Sequence, residues 1–425
     1  MTNFDVAIVG AGPAGSSAAI ALARRGYSVA VLDKERFPRE KLCGDFLNPA
    51  NRPLLRELDV EAAVLACPHE KVAAFRFTSS SGAEAEVPLA ASSDPTAFGL
   101  GLRRFDLDYV LLKKAASEGS TVLPGCKVKE LKRNSSRWFL RFDRGGMSEG
   151  LQARMLIGAD GRHSWVAHRL GMTRSAAMQG RAVGVQLNLK CRGGTDGRVE
   201  IHLFPGGYAG LVGLGHDTIN LACAIEKNQV PAARSDFIEF ASSSRPKISP
   251  SPLFQRGVKP ITDKIPPLQR GIKGALTWLE SCLPQNPRLK EMLARSEIAS
   301  EMRSTYPVYF SPRRAYGEAV LLAGDAARVN EPVTGEGIYF AIRSGILAAE
   351  TVHEAFRKGD FSAACLSPYA HDCRQAFQAR QRLNSVVRWL IYRPALLSSF
   401  IRFSAKRRRL LDAIVHAVCQ PETVR

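Results

Sequence analysis

Residues Phe4 to Asp33 leave this chain few folding options. Phe4-Asp-Val-Ala-Ile-Val9 is an apolar run of strand length, followed at once by Gly10-Ala-Gly12-Pro13-Ala14-Gly15. The small-residue run from Ser16 to Arg25 has helical character and ends at Gly26, a residue type that stops helices. A second apolar run, Ser28 to Leu32, finishes in Asp33, 18 residues after Gly15. Strand, G-x-G-x-x-G turn, helix, strand and acid together make the βαβ unit that binds dinucleotides. Gly10 permits the tight turn, Gly12 lets backbone approach a pyrophosphate, and Gly15 lets helix pack on strand. The helix N-terminus offsets the pyrophosphate charge, and Asp33 takes a ribose hydroxyl.

At 425 residues the chain is long enough for two core-bearing units, and no run approaches the ~20 apolar residues of a membrane span. The apolar stretch Val6 to Ala23 lacks a basic preceding region, so the expected location is cytoplasmic. Nine scattered cysteines without a C-x-x-C pair argue against zinc, iron–sulfur clusters and a disulfide framework. No metal site is expected. The formal net charge is +19, and Cys373 to Arg425 alone carries 11 Lys/Arg against 2 Asp/Glu, a net +9.

Beyond Asp33, the loop Arg36-Phe-Pro38-Arg-Glu-Lys41-Leu-Cys43-Gly44-Asp45 leaves the nucleotide unit. Its thiol either faces a bound ring or is a small buried apolar residue. Val72 to Thr78 and Glu84 to Leu89 alternate with period two and read as antiparallel strands. Arg104 opens a helix with Leu111, Leu112 and Ala115 on one face; it either clamps a phosphate or is simply solvated. Lys127 to Leu131 and Trp138 to Phe142 form a hairpin pattern. Met155-Leu-Ile157 then runs into Asp160-Gly161, a second acid after a strand, and a helix starts from Ser164. Val183 to Leu189, Val199 to Phe204, Tyr208 to Leu214 and Ile219 to Ile225 are short strands with Gly-rich turns, a separate antiparallel layer suited to walling a substrate cavity.

Within a helical stretch from Asp236 to Leu283, residues 246–274 contain six prolines and two echoes of one phrase, Pro252-Leu-Phe-Gln-Arg-Gly and Pro267-Leu-Gln-Arg-Gly. This segment is expected to be a surface insertion. Val320 to Ala323 is again a buried-strand pattern, ending at Gly324-Asp325. Pro332, Gly335 and Gly337 follow, and a helical pattern begins at Ile338. A helix N-terminus there suits a reduced flavin, whose ring carries negative charge, while Asp325 accepts from a ribityl hydroxyl. The basic, aromatic tail reads in two ways: a helix lying on an anionic membrane, or a helix docked over the substrate cavity. Nucleic acid is not expected, because a reader fold and stacking platforms are missing.

Gly10-x-Gly12-x-x-Gly15 with Asp33, then Asp160-Gly161, then Gly324-Asp325 with Pro332, Gly335 and Gly337 together resemble the flavoproteins of the para-hydroxybenzoate hydroxylase fold. The resemblance implies an α/β (α+β mixed) architecture: a discontinuous Rossmann-like FAD-binding domain, an inserted antiparallel-sheet substrate domain and a C-terminal helical tail. The expected division is 1–71, 101–178 and 301–372 for the FAD-binding domain, 72–100 and 179–300 for the substrate domain, and 373–425 for the tail. Implied cofactor contacts are Gly10, Gly12, Pro13, Ala14, Gly15, Asp33, Lys34, Lys41, Cys43, Gly44, Arg104, Val128, Asp160, Gly161, Gly324, Asp325, Pro332, Gly335, Gly337 and Ile338.

Within that superfamily, Pro38-x-x-Lys41-x-Cys43-Gly44 and Asn330-Glu-Pro332-x-Thr334-Gly335-Glu336-Gly337-Ile338-Tyr339 are most similar to geranylgeranyl reductases. Two departures stand out. Asp45 occupies the place of that family's second glycine, and Tyr208 alone survives of its Tyr-x-Trp-x-Phe-Pro substrate motif. The Trp-x-Trp-x-x-Pro signature of flavin halogenases is missing from the sequence. The resemblance therefore implies an FAD enzyme that reduces a carbon–carbon double bond of a hydrophobic, isoprenoid-like substrate, with Cys43 and Tyr208 on the substrate face. NAD(P)H or another external donor would reduce the flavin. The alternatives are an FAD monooxygenase using O2, and a non-catalytic flavoprotein or membrane-surface binding module.

Overall fold

The computed structural model describes residues 2–89, 98–134, 136–173, 182–227, 286–329 and 332–393, with positions 396, 403, 413, 415 and 419. The proline-rich segment 246–274, the expected helical stretch around it and the basic run 406–409 of the tail lie outside the described residues.

Thr2–Val9 is the inner strand of an eight-stranded sheet. It pairs in parallel with Val29–Asp33 on one side and with Met147–Gly158 on the other. The sheet continues in parallel through Val320–Leu322, which antiparallel Tyr316–Gly317 edges, on one side and through Thr121–Pro124 on the other. Cys126–Arg133 and Trp138–Arg144 complete it as an antiparallel hairpin paired with Met147–Gly158. The register aligns Val9 with Leu32, Val9 with Gly158, and Gly158 with Leu322. The three sequence motifs therefore leave the carboxyl ends of adjacent parallel strands, the edge where open α/β sheets bind ligands.

The helix Pro13–Ala23 has ten buried residues, with Ala, Gly and Ser over most of its surface, because it is sandwiched between this sheet and the long helix Gly337–Lys358. Small side chains let the two helices approach closely. A methyl group built on Gly345 would stand 2.2 Å from the Ala14 carbonyl oxygen, and one on Gly324 would meet the Ala14 Cβ at 2.9 Å.

A second eight-stranded sheet is ordered Ser296–Ile298, Ala182–Cys191, Thr218–Glu226, Gly207–Gly215, Arg198–Phe204, Ala74–Ser79, Glu84–Pro88, with Arg303–Thr305 also on Ala182–Cys191. All its pairings are antiparallel except one: Ala74–Ser79 lies parallel to Arg198–Phe204. The apolar run at 72–78 is also broken. Glu70–Val72 belongs to a small third sheet with Gly99–Gly101 and Phe46–Leu47, which bridges the other two.

One face of the second sheet is covered by Pro287–Ala294. The other, inner face looks toward the cofactor unit. There Phe46, Tyr208, Val212, Val308, Val333 and Ile391 belong to one apolar cluster. Ile391 ends the helix Pro368–Ile391, and Val415 and Cys419 are buried in the same cluster, so the described part of the tail docks on this face. No described helix is long and apolar enough to cross a membrane.

Gly345→Ala is expected to destabilise the protein by about 1–3 kcal/mol, since the added methyl must push the two helices apart. Urea denaturation of the variant checks this, and an unchanged midpoint contradicts the packing described.

Candidate functional site

The glycine turn divides its labour as the motif requires. A Cβ on Gly10 would stand 2.3 Å from Ala159 O, and one on Gly15 would stand 1.9 Å from Gly10 O, so both positions are closed to side chains. Gly10 also has φ +106°, which favours glycine. Gly12 is different. Its Cβ would meet nothing nearer than the guanidinium of Arg39 at 3.6 Å and that of Arg104 at 3.9 Å. Open backbone thus faces two fixed cations. Pro13 starts the helix at a position where no N–H is needed. The Ala11 N–H donates to Asp33 Oδ2 at 2.8 Å and the Glu35 N–H to Asp33 Oδ1 at 2.9 Å, so the acid lies against the turn. Neighbouring Lys34 is exposed, 3.8 Å from Glu35.

Arg104 forks onto buried Asp108, with Nε and Nη2 donating at 2.7 and 2.8 Å. Arg39 reaches the same carboxylate at 3.0 Å. Burial works against the charge of Arg104, yet the Asp108 carboxylate holds it protonated above its ordinary range. Arg39 and Asp108 were not singled out from the sequence. The i,i+4 spacing of Arg104 and Asp108 was a readable signal for the second; the loop residue Arg39 had none.

Lys41 and Gly44 are exposed and Cys43 is half-buried, on a loop crowded by protein around Lys41 and Cys43. That crowding, together with Arg39, Arg162 and Arg104, lowers the Lys41 ammonium to about 8. Burial raises the Cys43 thiol, so it stays protonated. A Cβ on Gly161, which has φ +80°, would lie 3.8 Å from Lys41 Nζ. Asp160 accepts from the Val166 N–H at 3.0 Å through Oδ2, while its other oxygen is buried with no partner among the described residues. Burial raises its pKa. Val128 sits on Cys126–Arg133 with its side chain in the main core.

At the third motif, Gly324 has φ +59° and donates its N–H to Ser344 Oγ at 2.9 Å. Asp325 follows in a short 3-10 turn, 3.9 Å from Arg162. Pro332 opens a second such turn, Pro332–Thr334. Gly335 has φ +65° and abuts Phe46, where a Cβ would clash at 2.8 Å. Gly337 is open, with nothing within 4 Å of an added Cβ, and Ile338 is buried behind it. The tail helix is locked to this turn: Arg380 pairs with Glu336 at 3.1 Å, Thr334 donates to Glu336 at 2.8 Å, and Asn384 donates to Thr334 at 2.8 Å, all buried.

The cofactor loop meets the second sheet through one amide. Asn220 Nδ2 donates to Cys43 O and to Asp45 Oδ2, both at 2.8 Å. Asp45 has φ 52°, a backbone region that favours glycine. Its carboxyl is buried, which pushes its pKa up to about 7, and it also accepts from the Arg104 N–H at 3.2 Å. Asn220 was missed in the sequence, although a polar residue alternating with apolar ones in Ile219-Asn-Leu-Ala-Cys was its signal. Tyr208 is buried on the same sheet face, two cross-strand rows away.

These residues fit FAD. A glycine cradle between two guanidinia, with Lys41 in range of both, suits a pyrophosphate, Asp33 a ribose, and the loop at Cys43 and Gly44 a flat ring. Among known families, one described as an FAD binding domain matches residues 3–202. Menaquinone reductase of Mycobacterium tuberculosis is 30% identical over 82% of this chain and 76% of its own length. Digeranylgeranylglycerophospholipid reductase 1 of Methanothermobacter thermautotrophicus is 26% identical over 88% of this chain and 83% of its own. A flavin-dependent brominase structure superposes with a TM-score of 0.75 at 18% identity, over 98% of this chain and 94% of that one; this likeness is one of fold.

An anion beside Lys41 favours its protonated form, so cofactor binding must take up a proton wherever Lys41 is neutral in the free protein. FAD affinity is therefore expected to fall as pH rises above about 8, by up to about tenfold per unit, and Lys41→Met should flatten the slope. Fluorescence titration of FAD between neutral and alkaline pH checks this; an identical slope in the variant contradicts it.

Proposed function

This chain belongs to the FAD-dependent oxidoreductases of the para-hydroxybenzoate hydroxylase fold, and we propose that it reduces carbon–carbon double bonds of a hydrophobic, isoprenoid-like substrate. The observation that carries the reading is the contact between the Cys43 carbonyl and Asn220 at 2.8 Å. It holds the cofactor loop directly against the sheet face that bears the apolar cluster, so cofactor and an apolar substrate become neighbours. Two relatives whose names denote reductases of menaquinone and of a digeranylgeranyl lipid support the same chemistry.

FAD, when bound and reduced, supplies the hydride. The chain's own residues orient and enclose. Arg39 and Arg104, fixed by Asp108, hold the anionic part of the cofactor. The Gly337 end of the long helix offers unpaired N–H groups and partial positive charge to a ring that gains negative charge. The docked helix Pro368–Ile391, pinned by Arg380 and Asn384, closes the apolar side against water. Cys43 Sγ keeps its proton on the cofactor loop, and Tyr208 borders the apolar face. Val386 and Trp389 remain exposed on the outer face of the tail helix. With the surplus of arginines there, they suit collection of a lipid substrate from an anionic membrane surface. The electron donor is NAD(P)H or another external reductant.

The test is anaerobic. Reduced holoenzyme mixed with a geranylgeranyl lipid should reoxidise its flavin and yield a product with two added hydrogens per bond reduced. A flavin that stays reduced until O2 is admitted, with an oxygenated product, would move the assignment to a monooxygenase.

A further inference from the structure

Three cross-strand rows cross the inner face of the second sheet. Asn188, Asn220 and Val212 form the first, beside the cofactor loop. Gln186, Ala222, Gly210 and Ile201 form the second, and Gly184, Ala224, Tyr208 and Leu203 the third. Positions flanking the middle row are buried, yet Gly210 and Ala222 keep accessible surface. A methyl group built on Gly210 would meet nothing nearer than 3.5 Å. The centre of the face is therefore an open spot floored by two small residues.

Gln186 stands directly beside that spot, opposite Ala222 in the register. Its side chain is 0% exposed, and neither its Oε1 nor its Nε2 has a hydrogen-bond partner among the described residues. Leaving a buried amide unpaired is costly, unless the partner is a ligand. The remaining oxygens of Asn188 and Asn220, in the adjoining row, are likewise buried and unpartnered. The charge that the register sets opposite Gln186 is Arg303, whose guanidinium is paired with Glu40 at 3.8 Å, outside hydrogen-bond distance. The spot thus offers neutral donors and acceptors, and the cation in its row is already matched by a carboxylate among the described residues.

Resting on the reading of this chain as a prenyl reductase, we infer that its substrate carries a neutral oxygen head group, a hydroxyl or a carbonyl, bound by the Gln186 amide above Gly210 and Ala222. The prenyl chain then runs along the row toward Ile201 and the apolar cluster. A diphosphate head would bring its charge against a guanidinium already matched by Glu40, and a bare hydrocarbon leaves the amide unpaired.

The experiment is a binding titration of FAD-loaded protein, read by the flavin absorbance change, with geranylgeraniol, geranylgeranyl diphosphate and a C20 polyene hydrocarbon. The wild type should bind the alcohol at least about tenfold more tightly than either of the others. Gln186→Met should weaken alcohol binding about tenfold, leave hydrocarbon binding unchanged, keep full FAD content, and melt no lower than wild type, because an unpaired amide has been removed. Gly210→Leu should block all three ligands while retaining FAD. Equal wild-type affinities, tighter binding of the diphosphate, or loss of FAD in Gln186→Met would each overturn the head-group inference while leaving prenyl reduction standing. Failure of all three compounds to bind wild type would overturn both.

Discussion

The Asn220 amide is the joint on which this structure turns. It donates to the Cys43 carbonyl and to the Asp45 carboxyl, two groups on a loop that otherwise belongs to the nucleotide unit. The loop can take this course because Asp45 accepts a left-handed backbone angle, a conformation that Asp tolerates better than most residues. Burial penalises the Asp45 charge, and the hydrogen bonds from Asn220 and the Arg104 N–H offset part of that cost. The same Arg104 grips Asp108 and, with Arg39, faces Gly12. A single connected set of polar contacts therefore runs from the sheet that would carry substrate to the turn that would carry pyrophosphate.

A second polar lock complements it from the other side. Arg380 and Glu336 form an ion pair that is almost wholly buried, and Arg380 also lies 4.5 Å over the Tyr339 ring. Removing one partner of such a pair leaves an uncompensated buried charge, so the tail helix and the glycine turn before Gly337 hold their relative positions together. The tail thereby becomes a wall of the site, and at least one of its arginines is occupied inside the protein. Its outer face keeps Val386 and Trp389 exposed, so the proposed contact with a lipid surface would use the side of the helix opposite to the one that docks.

Local chemistry made the nucleotide unit legible. Glycines at fixed offsets, an acid after the second strand and repeated strand-then-acid segments each encode a backbone requirement within about thirty residues of sequence. Once the strands are placed in parallel, the three motifs converge on one edge. The hairpin strands of the second sheet were legible as short apolar runs between Gly-rich turns, a pattern that survives burial on both faces. What such local patterns cannot report is the partner. The parallel pairing of Ala74–Ser79 with Arg198–Phe204 joins residues 124 apart in the chain, as in Arg76 with Glu200. The strands Phe46–Leu47 and Gly99–Gly101 are too short to show a period. Docking of the tail was ambiguous because an amphipathic helix shows the same pattern toward a membrane and toward a core; the deciding contact, Arg380 with Glu336, spans 44 residues. Gln186 and Asn220 looked like ordinary polar positions until the register set them on the inner face.

The central claim is that one joint aligns cofactor loop and substrate face, and Asn220→Ala tests it most directly. The quantity to measure is the rate at which a geranylgeranyl lipid reoxidises the reduced flavin without oxygen, alongside the FAD content of the same preparation. The account predicts full FAD content with a rate reduced by about tenfold or more, since misplacement by an ångström has that effect on a positioned reaction. An unchanged rate would contradict it, because the loop would then find its place on the sheet without the amide.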